Sequence, residues 1–210
     1  MAGLDFTTKN SNDEEFEGYV DTVTYGCWRK ETLERLGLFD EALVRNQDDE
    51  LNLRLVRTGG KIWQSPAIVS WYRPRGSLSA LFRQYFQYGF WKVAVIRKHR
   101  TAASWRHLVP GGFVAANFVL LVLVLWTRLV GLSSQSRTPI QIWGLVGAVY
   151  FVSSIAASLW TARSRGWSAL PLLPLVFAIY HFSYGLGFLV GVMHRPRTNL
   201  ARERFAELTR

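Results

Sequence analysis

Phe39-Asp40-Glu41, followed by Asn46-Gln47-Asp48-Asp49-Glu50-Leu51-Asn52-Leu53-Arg54-Leu55, is the stretch on which the reading of this chain turns. Asn46 is a good N-cap residue, and three consecutive acids then fill the first helical turn, where the helix dipole favours negative charge. Leu51 and Leu55 are four residues apart and share one face of the predicted helix. Gly59-Gly60 ends it. After Glu50 the next acid is Glu203. A lone concentration of carboxylates in a basic protein is either a helix-capping device or a chemical site, and the local sequence leaves both open.

The surrounding charge is uneven. Residues 1–50 hold 13 acids and 5 bases, whereas residues 51–210 hold 20 bases and 2 acids, for a net charge of +10. Such asymmetry points to an anionic partner, either nucleic acid or a lipid surface. Three long apolar runs decide for lipid: Phe113–Val130, Ile140–Trp160 and Leu170–Met193. Each approaches the roughly 20 residues a helix needs to cross a bilayer. The bases cluster at the flanks of these runs and not along a soluble face, so no nucleic-acid partner is expected. The single cysteine, Cys27, excludes an intrachain disulfide and a cysteine metal cluster. Met1–Tyr19 is polar and acidic, lacks the pattern of a secretory signal, and leaves membrane insertion to the later helices.

The order along the chain gives five segments. Residues 1–18 read as a polar arm. Residues 19–76 read as an α/β region. Within it, a short strand lies in Tyr19–Tyr25 and a helix in Arg29–Leu36 capped by Gly37. The acidic helix follows, and further strands are expected at Ile62-Trp63 and Ala67–Trp71. Residues 77–109 hold a helix capped by Ser77 and running to about His99, crowded with aromatic and cationic groups, and then a basic linker. Its composition predicts an interfacial helix. Residues 110–193 carry about three transmembrane helices, and 194–210 form a basic tail.

Arg97-Lys98-His99-Arg100 and Arg106-His107 directly precede the first apolar run, which marks a cytoplasmic flank. The Arg163/Arg165 loop and the arginine-rich tail both prefer the same side, which conflicts with a single crossing by the third run. Pro171 and Pro174 at its start and Gly185, Gly187 and Gly191 near its end leave room for a kink or re-entrant segment. His181, inside that run, is expected to be neutral and hydrogen-bonded to a neighbouring helix.

Several motifs occur in a telling order: Tyr25-Gly26-Cys27-Trp28, then Leu36-Gly37-Leu38-Phe39-Asp40-Glu41, the acidic helix with Arg54, Gly59-Gly60-Lys61-Ile62, and Phe82-Arg83-Gln84-Tyr85-Phe86-Gln87-Tyr88-Gly89. This order resembles the acceptor-side half of family 2 glycosyltransferases, inverting enzymes with a GT-A fold. It looks closest to the membrane-bound members of the succinoglycan and exopolysaccharide type. The resemblance implies a fold class of α/β, a partial GT-A-like acceptor half, followed by an α-helical membrane region.

The family pattern of Gly-Phe-Asp-Glu, Glu-Asp-x-Asp-Leu and a following Arg aligns here on Leu51 and Arg54. It puts the family's catalytic base at Asp48, its second acid at Glu50, and Gln47 in place of its Glu. A base of this kind removes the acceptor hydroxyl proton as the oxygen attacks the anomeric carbon. The resemblance further implies acceptor contacts from Gly26, Asp49, Glu50, Gln84, Gln87, Tyr88 and Trp91. Gln84, Gln87 and Tyr88 are a degraded form of the Gln-x-x-Arg-Trp motif of processive relatives, which favours single-sugar transfer. Arg73 and Arg75 would hold a lipid pyrophosphate or headgroups.

The family's Asp-x-Asp, which holds a divalent metal (Mg or Mn) against the donor diphosphate, does not occur in these 210 residues. The implied function is transfer of a hexose from a nucleotide-sugar to a polyprenyl-diphosphate-linked oligosaccharide at the cytoplasmic face of a bacterial inner membrane. The chain is expected to be a truncated or split form lacking the donor half. The alternative is a non-catalytic membrane protein whose remnant domain binds a lipid-linked glycan or a partner protein.

Overall fold

The computed structural model describes residues 16–69, 76–102, 104–130 and 138–194. Arg73, Arg75, most of the polar arm and the basic tail lie outside them. The chain divides into two units. Among the described residues, the first comprises 16–69 and 94–99, and the second comprises 76–93, 100–102, 104–130 and 138–194.

In the first unit, strand β1 (Gly18–Val20) pairs antiparallel with β2 (Ile62–Gln64), with Tyr19 opposite Trp63. Their rings meet edge to face at 4.9 Å, and Lys61 Nζ lies 5.1 Å from the Tyr19 ring centre. Helix α1 (Lys30–Leu36) stops at Gly37, whose φ of 85° is the left-handed conformation that glycine adopts without steric cost. The Leu38 N–H then donates to Leu33 O at 2.9 Å. Helix α2 (Gln47–Arg57) buries Leu51 and Leu55, which share a small core with Leu43 and Ile62.

Two local expectations fail here. Asn46 does not cap α2 with its side chain, because it sits at φ 63°, outside the extended geometry that an N-cap needs. Instead Gln47 Nε2 donates back to Leu43 O at 2.6 Å and Asp48 Oδ1 accepts from the Asp49 N–H at 2.9 Å. Ala67–Val69 is not a strand: Ile68 N–H donates to Ser65 O at 3.1 Å, closing a turn at Pro66. Residues 70 and 71 of that expected strand lie outside the described residues.

Helix α3 (Leu78–His99) begins at Ser77, whose Oγ accepts from the Ala80 N–H at 3.2 Å. Its last six residues belong to the first unit and the rest to the second.

The second unit adds α4 (Val109–Leu129), α5 (Thr138–Arg165) and α6 (Leu173–Met193). All three helices are long and apolar enough to cross a membrane. Pro110, Pro139 and Pro174 are each the second residue of their helix, where the missing N–H costs nothing. Leu173–Met193 of the third run is therefore one continuous helix. Its glycines serve packing: a Cβ on Gly187 would strike the Phe86 backbone, and one on Gly185 the Pro110 backbone. A Cβ on Gly89 of α3 would likewise strike the backbone of Tyr184. The helix expected at the interface thus also packs closely on α6, where Tyr85 stacks on Tyr180 at 4.2 Å. His181 hydrogen-bonds Tyr150 of α5, 3.1 Å from its hydroxyl, and Trp143 Nε1 donates to Asn117 Oδ1 at 3.3 Å.

Candidate functional site

Helix α2 sorts its acids onto different faces. Asp48 and Asp49 are half-buried, whereas Glu50 has no solvent exposure at all. The helical repeat explains this: Glu50 lies one turn before Arg54 and next to the core residue Leu51.

Burying a carboxylate is costly unless it is paired and hydrogen-bonded. Glu50 is both. Oε2 accepts from Arg54 Nε at 3.0 Å and from a terminal guanidinium nitrogen at 2.8 Å. Oε1 lies 2.8 Å from Lys98 Nζ and 2.8 Å from His99 Nε2. Lys98 also reaches Asp40 Oδ2 at 2.7 Å. Arg54 further donates to the carbonyls of Leu36 and Leu38, which fixes the α1–α2 connection.

These contacts set the charge states. Burial alone would raise the Glu50 carboxyl. Hydrogen bonds from Lys98, Arg54 and His99 outweigh it and hold the group below its usual range. Asp40 behaves alike: burial is outweighed by Lys98 and the Ala42 N–H, so its carboxyl is also lowered. For Lys98, burial opposes the charge, but Asp40 and Glu50 outweigh it and raise the ammonium.

Asp48 stands one turn before Asn52 on the neighbouring face. Its Oδ2 has no hydrogen-bond partner among the described residues, while Oδ1 is held by Asp49 N–H. Asn52, fully buried, donates to Thr22 Oγ1 at 3.0 Å and to Val23 O at 2.9 Å. The segment after β1 is thereby tied to α2. It continues through Tyr25, at φ 59°, into Gly26, where a Cβ would press on the Trp28 ring at 2.5 Å.

Gln84, Gln87, Tyr88 and Trp91 belong to the second unit. Gln84 Nε2 donates to the Tyr88 hydroxyl at 2.8 Å one turn on. Gln87 and Trp91, also one turn apart, are buried. Arg73 and Arg75 fall outside the described residues. In the sequence Lys98 and His99 read as membrane-flank cations. Both instead engage Glu50, a pairing across nearly fifty residues that no local pattern signals.

Among the described residues, the divalent cation that the resemblance implies finds no seat. Glu50 is occupied by Arg54, Lys98 and His99, and no group of three His, Cys, Asp or Glu among the described residues could hold a metal.

By sequence, the chain is similar to glycosyltransferases of polysaccharide and lipid-linked glycan synthesis. The succinoglycan biosynthesis protein ExoA of Rhizobium meliloti (strain 1021) is 28% identical over 165 residues, covering 78% of this chain and 46% of that protein. The dolichyl N-acetyl-alpha-D-glucosaminyl phosphate 3-beta-D-2,3-diacetamido-2,3-dideoxy-beta-D-glucuronosyltransferase of Methanococcus voltae is 29% identical over 202 residues, 92% of this chain and 55% of that protein. The chain thus spans about half the length of the curated relatives it matches. No family profile matches it, and no solved structure does.

Proposed function

We propose that these residues are the acceptor-side and membrane portion of an inverting glycosyltransferase that builds a lipid-linked or exported glycan. The observation that carries the reading is the joint similarity to a succinoglycan protein and a glycosyltransferase acting on a dolichyl-phosphate-linked sugar. The two relatives' names share glycan assembly and differ in the sugar, so the reading extends to a lipid-phosphate-linked acceptor and stops short of one particular hexose. The GT-A relation belongs to this proposal and rests on the motif order. On the same reading, the donor nucleotide and its metal are held by the part of the relatives that this chain does not match.

Asp48 is the base. Its unbonded Oδ2 takes the proton of the acceptor hydroxyl while that oxygen bonds the anomeric carbon. The bond from that carbon to the donor phosphate breaks, and its electron pair leaves with the nucleoside diphosphate. Anchoring Oδ1 on the Asp49 N–H fixes the carboxylate's direction at the positive end of α2. Glu50 is assigned to bracing and not to acceptor contact, because no solvent reaches it. Asp49, Gly26, Gln84 and Tyr88 stay in the proposal as acceptor-side residues, whereas the buried Gln87 and Trp91, like Glu50, are assigned to packing. The apolar helices and the basic flank at Arg97, Arg100 and Arg106 support placement in a bacterial inner membrane with α2 on the cytoplasmic side.

The test is Asp48→Asn in a transfer-competent form, assayed in membranes for sugar movement from a nucleotide-sugar to a lipid-linked acceptor by mass spectrometry of extracted lipids. A positioned base contributes about 10²–10⁴-fold, so a loss in that range is expected. Undiminished transfer by Asp48→Asn overturns the assignment.

A further inference from the structure

Lys98 and His99 close the last turn of α3, in a run of cations whose sequence reads as a membrane flank. The structure gives these two a different task. Lys98 Nζ sits between two carboxylates, 2.7 Å from Asp40 Oδ2 and 2.8 Å from Glu50 Oε1. It therefore bolts the Phe39-Asp40-Glu41 segment to the acidic turn of α2. His99 places Nε2 against the same Glu50 oxygen at 2.8 Å, and its own backbone carbonyl accepts from Arg57 at 3.3 Å. With Arg54 on the other oxygen, the cluster sets two carboxylates against two permanent cations. It is neutral when His99 is a neutral donor.

A neutral, fully bonded cluster around a carboxylate with no exposure holds its backbone rigidly. Asp48 is two residues from Glu50 in the same helical turn, and it has no comparable tie of its own.

We propose that Lys98 and His99 are positioning residues for the transfer reaction: through Glu50 and Asp40 they fix the turn that presents Asp48. This rests on the assignment of Asp48 as the base. A misplacement of about 1 Å at a reacting group can cost on the order of 10²-fold in rate.

The experiment compares Lys98→Met, Lys98→Arg and His99→Leu with Asp48→Asn in the same transfer-competent membranes, reading kcat and KM separately. In parallel, hydrogen exchange is followed over residues 46–54 of the 210-residue chain in detergent. The expected result for Lys98→Met is a fall in kcat of about 10- to 100-fold with KM changed less than about threefold, and faster exchange confined to α2. Lys98→Arg, which keeps a cation between the two carboxylates, recovers most of both, and His99→Leu gives a smaller fall in kcat. If Asp48→Asn is inactive while Lys98→Met keeps the normal kcat, the inference fails and the base assignment stands. If Asp48→Asn is fully active, both fall. Should Lys98→Met not fold, Lys98→Arg and His99→Leu decide alone: a normal kcat in His99→Leu, or a kcat in Lys98→Arg no better than one-hundredth of normal, overturns the proposal.

Discussion

Removing the Glu50 carboxylate exposes how much α2 depends on it. Glu50→Ala leaves three partner side chains behind, and their surroundings differ. Lys98 has 39% of its side chain in solvent and keeps Asp40, so its loss is largely screened. Arg54 is only 17% exposed and loses both bonds to Oε2, but keeps the Leu36 and Leu38 carbonyls. His99, 11% exposed, loses its Nε2 partner. Breaking a buried pair costs about 3–5 kcal/mol when the surviving charge is stranded. With Lys98 discounted and Arg54 partly satisfied, the low end, about 3 kcal/mol, applies. A free energy of 1.4 kcal/mol is tenfold, so the amide protons of α2 should exchange roughly 100-fold faster in this variant. Glu50→Gln keeps the shape and one acceptor and should fall between. The assay is hydrogen exchange by mass spectrometry in detergent, with α4–α6 as internal reference. A change under threefold in α2, or an equal change across α4–α6, refutes the reasoning.

Further outcomes follow from the same geometry. Glu50 and Asp40 have lowered carboxyls, so their stabilisation is present above the ordinary values of 4.5 and 3.8 and is lost as pH falls through the lower folded values. Lys98 is raised, so its share is complete below its ordinary 10.5 and is lost as pH climbs past that. The protection of α2 should thus be flat between about pH 5 and 10 and fall at both ends, as exchange corrected for its intrinsic pH dependence will show. Gly89→Ala should destabilise the α3–α6 contact by about 1–3 kcal/mol, because the new Cβ meets Tyr184 backbone, and thermal melting in detergent reads this out. Asn52→Ala removes two hydrogen bonds to residues 22 and 23 and should speed exchange there about 10-fold or more, with little effect on α4–α6.

What could be read from the sequence were features whose cause is local. Gly37 ends α1 because the next turn needs a left-handed residue. Ser77 caps α3 because its oxygen reaches an amide three residues on. The three apolar helices follow from run length alone. The misreadings have a common source. Asn46 looks like a cap by type, but the backbone enters α2 from a left-handed conformation. Gly185, Gly187 and Gly191 look like breakers, yet each is set by a neighbouring helix. Lys98 and His99 look like lipid-facing cations until α3 brings them to Glu50. Within the acidic cluster, motif order is what singles out Asp48 for the proposal. The burial of Glu50 was not legible, since its partners on α3 lie 48 and 49 residues away in sequence.

The central claim is that the acidic helix presents a single base. The most direct measurement is the transfer rate of Asp48→Asn beside Asp49→Asn, in membranes containing a nucleotide-sugar and a lipid-linked acceptor. The account predicts a loss of at least about 10²-fold for Asp48→Asn, with a much smaller one for Asp49→Asn. Equal activity in Asp48→Asn and the unaltered protein would contradict it.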